Sequence, residues 1–226
     1  MDEHIYLEFL VEDKSGEMLL KQVLDTYKKN CENLIYKINS FKGIGRIPKK
    51  INKIRDIKTQ RLLNDLPSYL RGFNASLSTL PYKKAIIVVV DNDNNNCVDF
   101  KHDLNNLKEA LDLDIDCLFC IAIEEMEAWL LGDIEAVVTA YPHAKKQILQ
   151  SYKPDSICGT WEHLAEAIYS GGVEKLKKAA TTYYEIGEQK CIWAEKIGAN
   201  LNLQNNRSPS FNYLLSKLDM LCGLIS

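Results

Sequence analysis

Hydrophobic positions in the first half of the chain fall into four short blocks separated by polar, helix-patterned stretches. "IYLEFLVE" (5–12) is rich in apolar and aromatic residues and ends at an acid. "NLIYKINSF" (33–41) alternates apolar and polar positions as a strand does. "KKAIIVVVDND" (83–93) and "DCLFCIAI" (116–123) are continuous apolar runs of the kind buried on both faces of a parallel sheet. Between them, "SGEMLLKQVLDTYKKN" places Met18, Leu19, Val23, Leu24 and Tyr27 at helical spacing behind Ser15, a candidate N-cap. "LLNDLPSYLRGFNASLSTL" reads as helix with a turn near Arg71–Gly72, and "CVDFKHDLNNLKEALDL" as a further helix. The order β-α-β-α-β-α-β predicts an α/β fold, a mostly parallel sheet flanked by helices.

After Ile123 the pattern becomes helical, starting with "EEMEAWLLGDIEAVVTAYP" and broken mainly at "SGG" (170–172) and "NLQNNRSPS" (202–210). The expected organisation is an α/β core over residues 1–135 and a helical C-terminal extension, 136–226, packed on it.

Composition narrows the class. With 226 residues, 46% hydrophobic and 26% charged, the chain reads as an ordinary globular protein. Its 28 basic and 31 acidic residues argue against a protein that coats nucleic acid, while leaving room for a local basic patch. The seven cysteines (Cys31, Cys97, Cys117, Cys120, Cys158, Cys191, Cys222) are odd in number and irregular in spacing, which speaks against a disulfide framework. Cys117 and Cys120 form a C-x-x-C inside a strand-like run, read as core thiols in preference to a redox or zinc pair. "MDEHIYLEFLVED" carries acids where a signal peptide needs Lys or Arg, and no apolar run approaches the roughly 20 residues of a membrane span, so a cytoplasmic location is expected. His4, His102, His143 and His163 lack metal-ligand spacing and read as surface residues; Trp129, Trp161 and Trp193 read as core. "GIG" (43–45) is a turn without the rest of a nucleotide fingerprint, and no P-loop motif is present.

Three acidic clusters carry the candidate chemistry: Glu12 with Asp13, Asp91 with Asp93, and Glu124, Glu125 and Glu127. In α/β sheets ligands bind beyond the carboxyl ends of the strands, and the first two clusters lie at such ends. Alternate residues of a strand point the same way, so Asp91 and Asp93 are placed to reach one ion. Mg²⁺ takes oxygen ligands, typically one or two carboxylates completed by water and phosphate. The competing reading is that Asp91 and the asparagines after it cap a loop and the next helix.

"FLVEDKSGE" and "IIVVVDND" resemble the two metal-binding motifs of the TOPRIM fold of topoisomerases, bacterial primases and OLD-type nucleases. Together with "AIEEMEAWLLGD" and "NRSPSFNYLL", they resemble more closely the TOPRIM-like DUF4276 family. The resemblance implies a TOPRIM-like core in which Glu12, Asp91 and Asp93 hold Mg²⁺ or Mn²⁺. Glu12 would also serve as a possible acid or base. Glu125 and Glu127 fall in the matching E-x-E-A-W segment, as further catalytic candidates or as a tie between helix and sheet. Asp13 stands where many TOPRIM motifs carry glycine.

The resulting expectation is a metal-dependent nuclease, a phosphodiester hydrolase. It would act on DNA or RNA, in anti-phage defence beside a separately encoded ATPase. The run Lys42–Arg61 holds eight bases and one acid, Asp56, and either grips the phosphate backbone or forms a solvated helical face backed by Ile47, Ile51, Ile54 and Ile57. Candidate substrate contacts are Lys14, Lys49, Lys50, Lys53, Lys196 and Arg207, while Ser208 and Ser210 read as helix caps. Two alternatives stay open: an inactive TOPRIM-like interaction module, and another Mg²⁺-dependent phosphoryl or nucleotidyl transferase.

Overall fold

A computed structural model describes residues 4–48, 59–93, 95–154, 156 and 159–224. The four apolar blocks form strands β1 (Ile5–Val11), β2 (Leu34–Ser40), β3 (Lys83–Asp91) and β4 (Asp116–Ala122). They pair in the order β2-β1-β3-β4, every pair parallel. Parallel neighbours require crossovers, supplied by helices α1 (Lys14–Tyr27), α2 (Leu62–Ser78) and α3 (Cys97–Leu111). The α/β architecture expected from the hydrophobic pattern is the one the chain adopts. From β1 the chain steps outward to β2, then returns to β3 on the other side of β1. The direction of strand addition therefore reverses between β1 and β3, the place where such sheets open a crevice.

Both faces of the sheet are covered, which is why β3 is buried without interruption from Ala85 to Val90. Ala85, Ile87 and Val89 join Leu19, Leu20 and Val23 of α1 on one face. Ile86, Val88 and Val90 meet Leu62, Leu66 and Leu70 of α2 and Leu104 of α3 on the other. The rest of the chain supplies α4 (Glu127–Leu131), α5 (Ile134–Ala140), α6 (Lys146–Ser151), α7 (Thr160–Ile168), α8 (Gly172–Ala179), α9 (Tyr183–Gly198) and α10 (Pro209–Cys222). These helices build onto the α1 face: Trp193 and Ile197 of α9 and Phe211 and Leu214 of α10 share one apolar cluster with Leu7, Phe9 and Val11. Among the described residues no helix is long and apolar enough to cross a membrane.

Several local expectations change. The N-cap of α1 is Asp13, not Ser15: its carboxylate accepts the Gly16 N–H at 2.8 Å, one of the donors a helix start leaves unpaired. Helix α2 runs through Arg71–Gly72 without a turn. An exposed helical glycine costs only about 1 kcal/mol relative to alanine, and burial of Leu66, Leu70 and Leu77 outweighs it. The helix expected from Glu124 onward is two, α4 and α5, divided at Gly132–Asp133, where Asp133 caps α5 by accepting the Ala136 N–H. Cys117 and Cys120 face opposite sides of the sheet in separate apolar clusters, and burial pushes both thiols up to about 12; they are core residues. Trp129, Trp161 and Trp193 are buried as expected. His163 is half-buried with Nε2 2.9 Å from the Ile148 carbonyl, while the other three histidines are exposed. Lys49, Lys50 and Lys53, with most of the helix proposed for the basic run, lie outside the described residues.

Candidate active site at the strand ends

Each acid owes its position to the end of a strand or the start of a helix. Val11 O and Glu12 O accept the N–H groups of Phe41 and Gly43, so β1 is still tied to the chain after β2 when Glu12 emerges from the sheet. Asp13 then turns the chain into α1, its Oδ1 accepting from Gly16 N and from Ser15 Oγ at 2.9 Å. Gly16 is required by close packing: a Cβ there would stand 2.6 Å from Val11 Cγ2 and 2.8 Å from Met126 Sδ. The start of α1 is thus pressed between β1 and the segment leading into α4.

On the neighbouring strand, Asp91 pairs with Ala122 at the last register position of β3. Asn92 N then donates to Ala122 O and Asp93 N to Glu124 O, holding the D-N-D turn against the segment that follows β4. Asn92 is buried and exchanges side-chain hydrogen bonds with Asn95. Asn96 caps α3, so part of the asparagine run has the capping purpose. The alternation that would aim Asp91 and Asp93 alike ends with the strand. Asp93 has φ +46°, in the left-handed region that Asp tolerates, and is exposed.

The third acidic segment divides its tasks. Glu124 is buried and accepts from Tyr152 Oη at 2.6 Å. Glu125 Oε2 accepts from Thr160 Oγ1 at 2.8 Å and Trp161 N at 3.1 Å, joining the loop to the start of α7. Glu127 is buried and forms an ion pair with Lys190 Nζ at 3.1 Å. Lys190 comes from α9, whose apolar stripe of Trp193, Ala194 and Ile197 is buried, as is Lys190 itself.

The electrostatics make these groups one cluster. Burial pushes Glu12 up to about 7, with Asp93 and Asp13 adding to the rise and the Asp91 N–H and Lys190 opposing it. Burial, then Glu12, raises Asp91 well above the usual carboxylate range, and Lys190 opposes. Asp93 is raised by burial and by Glu125. Glu127 is pushed up to about 7 by burial despite Lys190 beside it. Burial would pull Lys190 down, but Glu127, Asp91, Asp13 and Glu125 outweigh it and hold the ammonium charged.

Three oxygens in this cluster, Glu12 Oε2, Asp91 Oδ1 and Glu127 Oε2, are shut off from solvent and make no hydrogen bond; Glu127 Oε2 has the Lys190 ammonium 3.1 Å away as an ion-pair partner, and the other two have none. Buried carboxylate oxygens are normally satisfied, and leaving them bare is costly. Among the described residues, no group of three or more His, Cys, Asp or Glu side chains is arranged to hold a metal ion. The fit to a divalent cation therefore rests on the Glu12–Asp91 pair, which matches the one or two carboxylates that Mg²⁺ usually takes from a protein.

Of the predicted basic residues, Lys14, Lys196 and Arg207 are among the described ones. Lys14 is exposed in an ion pair with Glu17 at 2.7 Å. Lys196 sits 5.8 Å from the centre of the Tyr141 ring, and Arg207 is exposed with its N–H bonded to Gly132 O. The cation that acts on the acids is Lys190, which the sequence reading did not single out. Its signal was a lysine at positions i, i+3, i+4 and i+7 with Trp193, Ala194 and Ile197, within the buried stripe of α9.

The late motif has a structural task. Asn206 Nδ2 donates to Trp129 O at 2.7 Å and Asn206 Oδ1 accepts from Ser208 N at 2.9 Å. Ser208 caps α10, whereas Ser210 accepts from Trp129 Nε1 at 2.9 Å. "AWLLGD" and "NRSPS" thus lock together behind the acids.

Fold and site define an α/β protein with acids converging at the switch point of a parallel sheet. The chain belongs to the family described as Domain of unknown function (DUF4276), whose profile matches residues 11–219. No curated protein and no solved structure matches it.

Proposed function

We propose that this protein is a metal-dependent phosphodiesterase acting on nucleic acid, with a TOPRIM-like arrangement of acids. The observation that carries the reading is the pair of sealed, unpartnered oxygens, Glu12 Oε2 and Asp91 Oδ1, on either side of the β1/β3 crevice. Glu12 and Asp91 are the residues to hold Mg²⁺ or Mn²⁺, with Asp93 at the exposed rim of the same cluster. When bound, such an ion supplies charge stabilisation at a phosphodiester and lowers the pKa of bound water. Glu12, pushed up to about 7, is suited to move a proton near neutral pH. Glu125 and Glu127 anchor the cluster through α7 and Lys190.

The basic run gives the reading a substrate. Its two ends are drawn together beside Glu12: Lys42 N donates to Gln60 O, Leu62 N to Gly43 O and Leu63 N to Ile44 O, while Gly43 N donates to Glu12 O. The described ends of the run, 42–48 and 59–61, therefore lie at the mouth of the acidic site, where contacts to a phosphate backbone are useful. In this reading the protein works in the cytoplasm, in anti-phage defence beside a separately encoded ATPase, as the TOPRIM resemblance implies.

One observation favours a second reading, an interaction module that keeps the fold without chemistry. Among the described residues no three-carboxylate metal arrangement is formed. Cleavage of labelled DNA and total tRNA with Mg²⁺ or Mn²⁺ separates the two. Cleavage by wild type that is lost in Glu12→Ala and Asp91→Ala establishes the nuclease. No cleavage by folded wild type, alone or with the product of a neighbouring ATPase gene, leaves the module.

A further inference from the structure

We propose that the Lys190 ammonium fills the place of a second cation, so that the site takes one divalent ion beside one fixed positive charge. The inference rests on the metal-dependent reading above and specifies its stoichiometry.

Two-ion phosphoryl-transfer sites hold their ions about 3.5–4 Å apart on shared carboxylates. Asp91 is the residue placed for such sharing: its Oδ1 is sealed and bare like Glu12 Oε2, and the charges of Glu12, Lys190 and Glu127 all act on it. Glu12 Oε2 and Asp91 Oδ1 are bare, whereas Glu127 Oε2, which likewise makes no hydrogen bond, has the ammonium as its ion-pair partner. That ammonium stands 3.1 Å from Glu127 Oε2, with the two side chains 9% and 4% exposed. Helix α9 carries this lysine in its apolar stripe, between the buried Trp193 and Ala194 and the packed Ile186. Withdrawing it would strand Glu127 as a buried, uncompensated charge. A second metal ion would have to displace a group that the fold itself keeps in place. Lys190 is accordingly a positioning residue: it holds Glu127 in an ion pair, and its charge acts on Asp91.

The test is titration of the full-length, metal-stripped protein with MnCl₂, reading free Mn²⁺ by electron paramagnetic resonance. Wild type is expected to bind one Mn²⁺ per chain, Lys190→Arg one, and Lys190→Ala two, because the vacated place exposes Glu127 and Asp91 to a second ion. Glu12→Gln should lose the wild-type ion. Two ions on wild type overturn the inference and leave the metal-dependent reading standing. One ion on both wild type and a folded Lys190→Ala also overturns it. No ion on wild type fells the metal-dependent reading, and the inference with it. If Lys190→Ala does not fold, the wild-type count and the smaller polar Lys190→Ser, which also vacates the place, carry the same decision.

Discussion

Lys190 Nζ lies 3.1 Å from Glu127 Oε2 in a part of the molecule where neither residue is more than one-tenth exposed. The pair joins α9, packed on α1, to the short helix α4 behind the sheet ends. Removing one partner of a buried ion pair typically costs about 3–5 kcal/mol because the other charge is left bare. Lys190→Ala should therefore lose stability of that order in urea unfolding. Lys190→Met combined with Glu127→Gln should lose much less than the two single changes added together. A Lys190→Ala loss below about 1 kcal/mol would show that the pair contributes no more than a surface salt bridge.

The raised acids predict an inverted pH dependence. Glu12 and Glu127 both ionise near 7 in the fold, against 4.5 ordinarily. Between those values the native chain binds more protons than the unfolded chain, so stability falls as pH rises. The favourable condition lies below about pH 4.5–5 for these groups, and their penalty is complete above about pH 7. Without divalent ions, the melting temperature should drop between pH 5 and pH 8, and Glu12→Gln should flatten the slope. Glu12 alone accounts for a loss on the order of 2–3 kcal/mol. Adding Mg²⁺ or Mn²⁺ should recover stability mainly at the upper end of the range. A rise in melting temperature from pH 5 to pH 8 would contradict the burial of these carboxylates.

Much of this was legible in the sequence because it depends on local periodicity. The continuous run Ala85–Val90 announced a strand buried on both faces, and Asp91 at its end marked the candidate site. What periodicity does not encode is which distant side chain completes the cluster. Glu127 and Lys190 are 63 positions apart, and only the packing of α9 on α1 brings them together. Strand alternation reaches no further than Asp91, where β3 stops, and Asp93 follows in a left-handed turn while still acting on Glu12. Ser15 looked like a cap, but the residue two places earlier has the extended backbone a cap needs.

Gly16 offers a steric prediction. A Cβ there would meet Val11 Cγ2 at 2.6 Å, a side chain fixed in the core, and Met126 Sδ at 2.8 Å, which is more flexible. Gly16→Ala should cost about 1–3 kcal/mol, the usual range for overpacking, although alanine is the better helix former. Because Asp13 caps the same turn, the variant should also weaken Mn²⁺ binding. A stability equal to or above wild type would mean that Met126 yields and the start of α1 is not wedged.

Two neighbours in "NRSPS", Asn206 and Arg207, differ in burial and in task. Asn206 is buried and holds Trp129 O and Ser208 N, while its own carbonyl accepts from Asn212 Nδ2 at 2.9 Å. Asn206→Ala leaves the Trp129 carbonyl and Ser208 N–H without these partners, at about 1–3 kcal/mol for each buried group left unsatisfied. Asn206→Asp should fare no better, since a carboxylate cannot donate to Trp129 O. Both changes loosen the end of α4, the helix that presents Glu127, so Mn²⁺ affinity should fall with stability. Arg207 beside it is exposed, and Arg207→Ala should shift stability by no more than about 0.5 kcal/mol. If Arg207 touches nucleic acid, its loss should weaken binding and reduce the salt dependence while leaving the melting temperature unchanged. A large stability loss in Arg207→Ala, or none in Asn206→Ala, would reverse the roles assigned to the two residues.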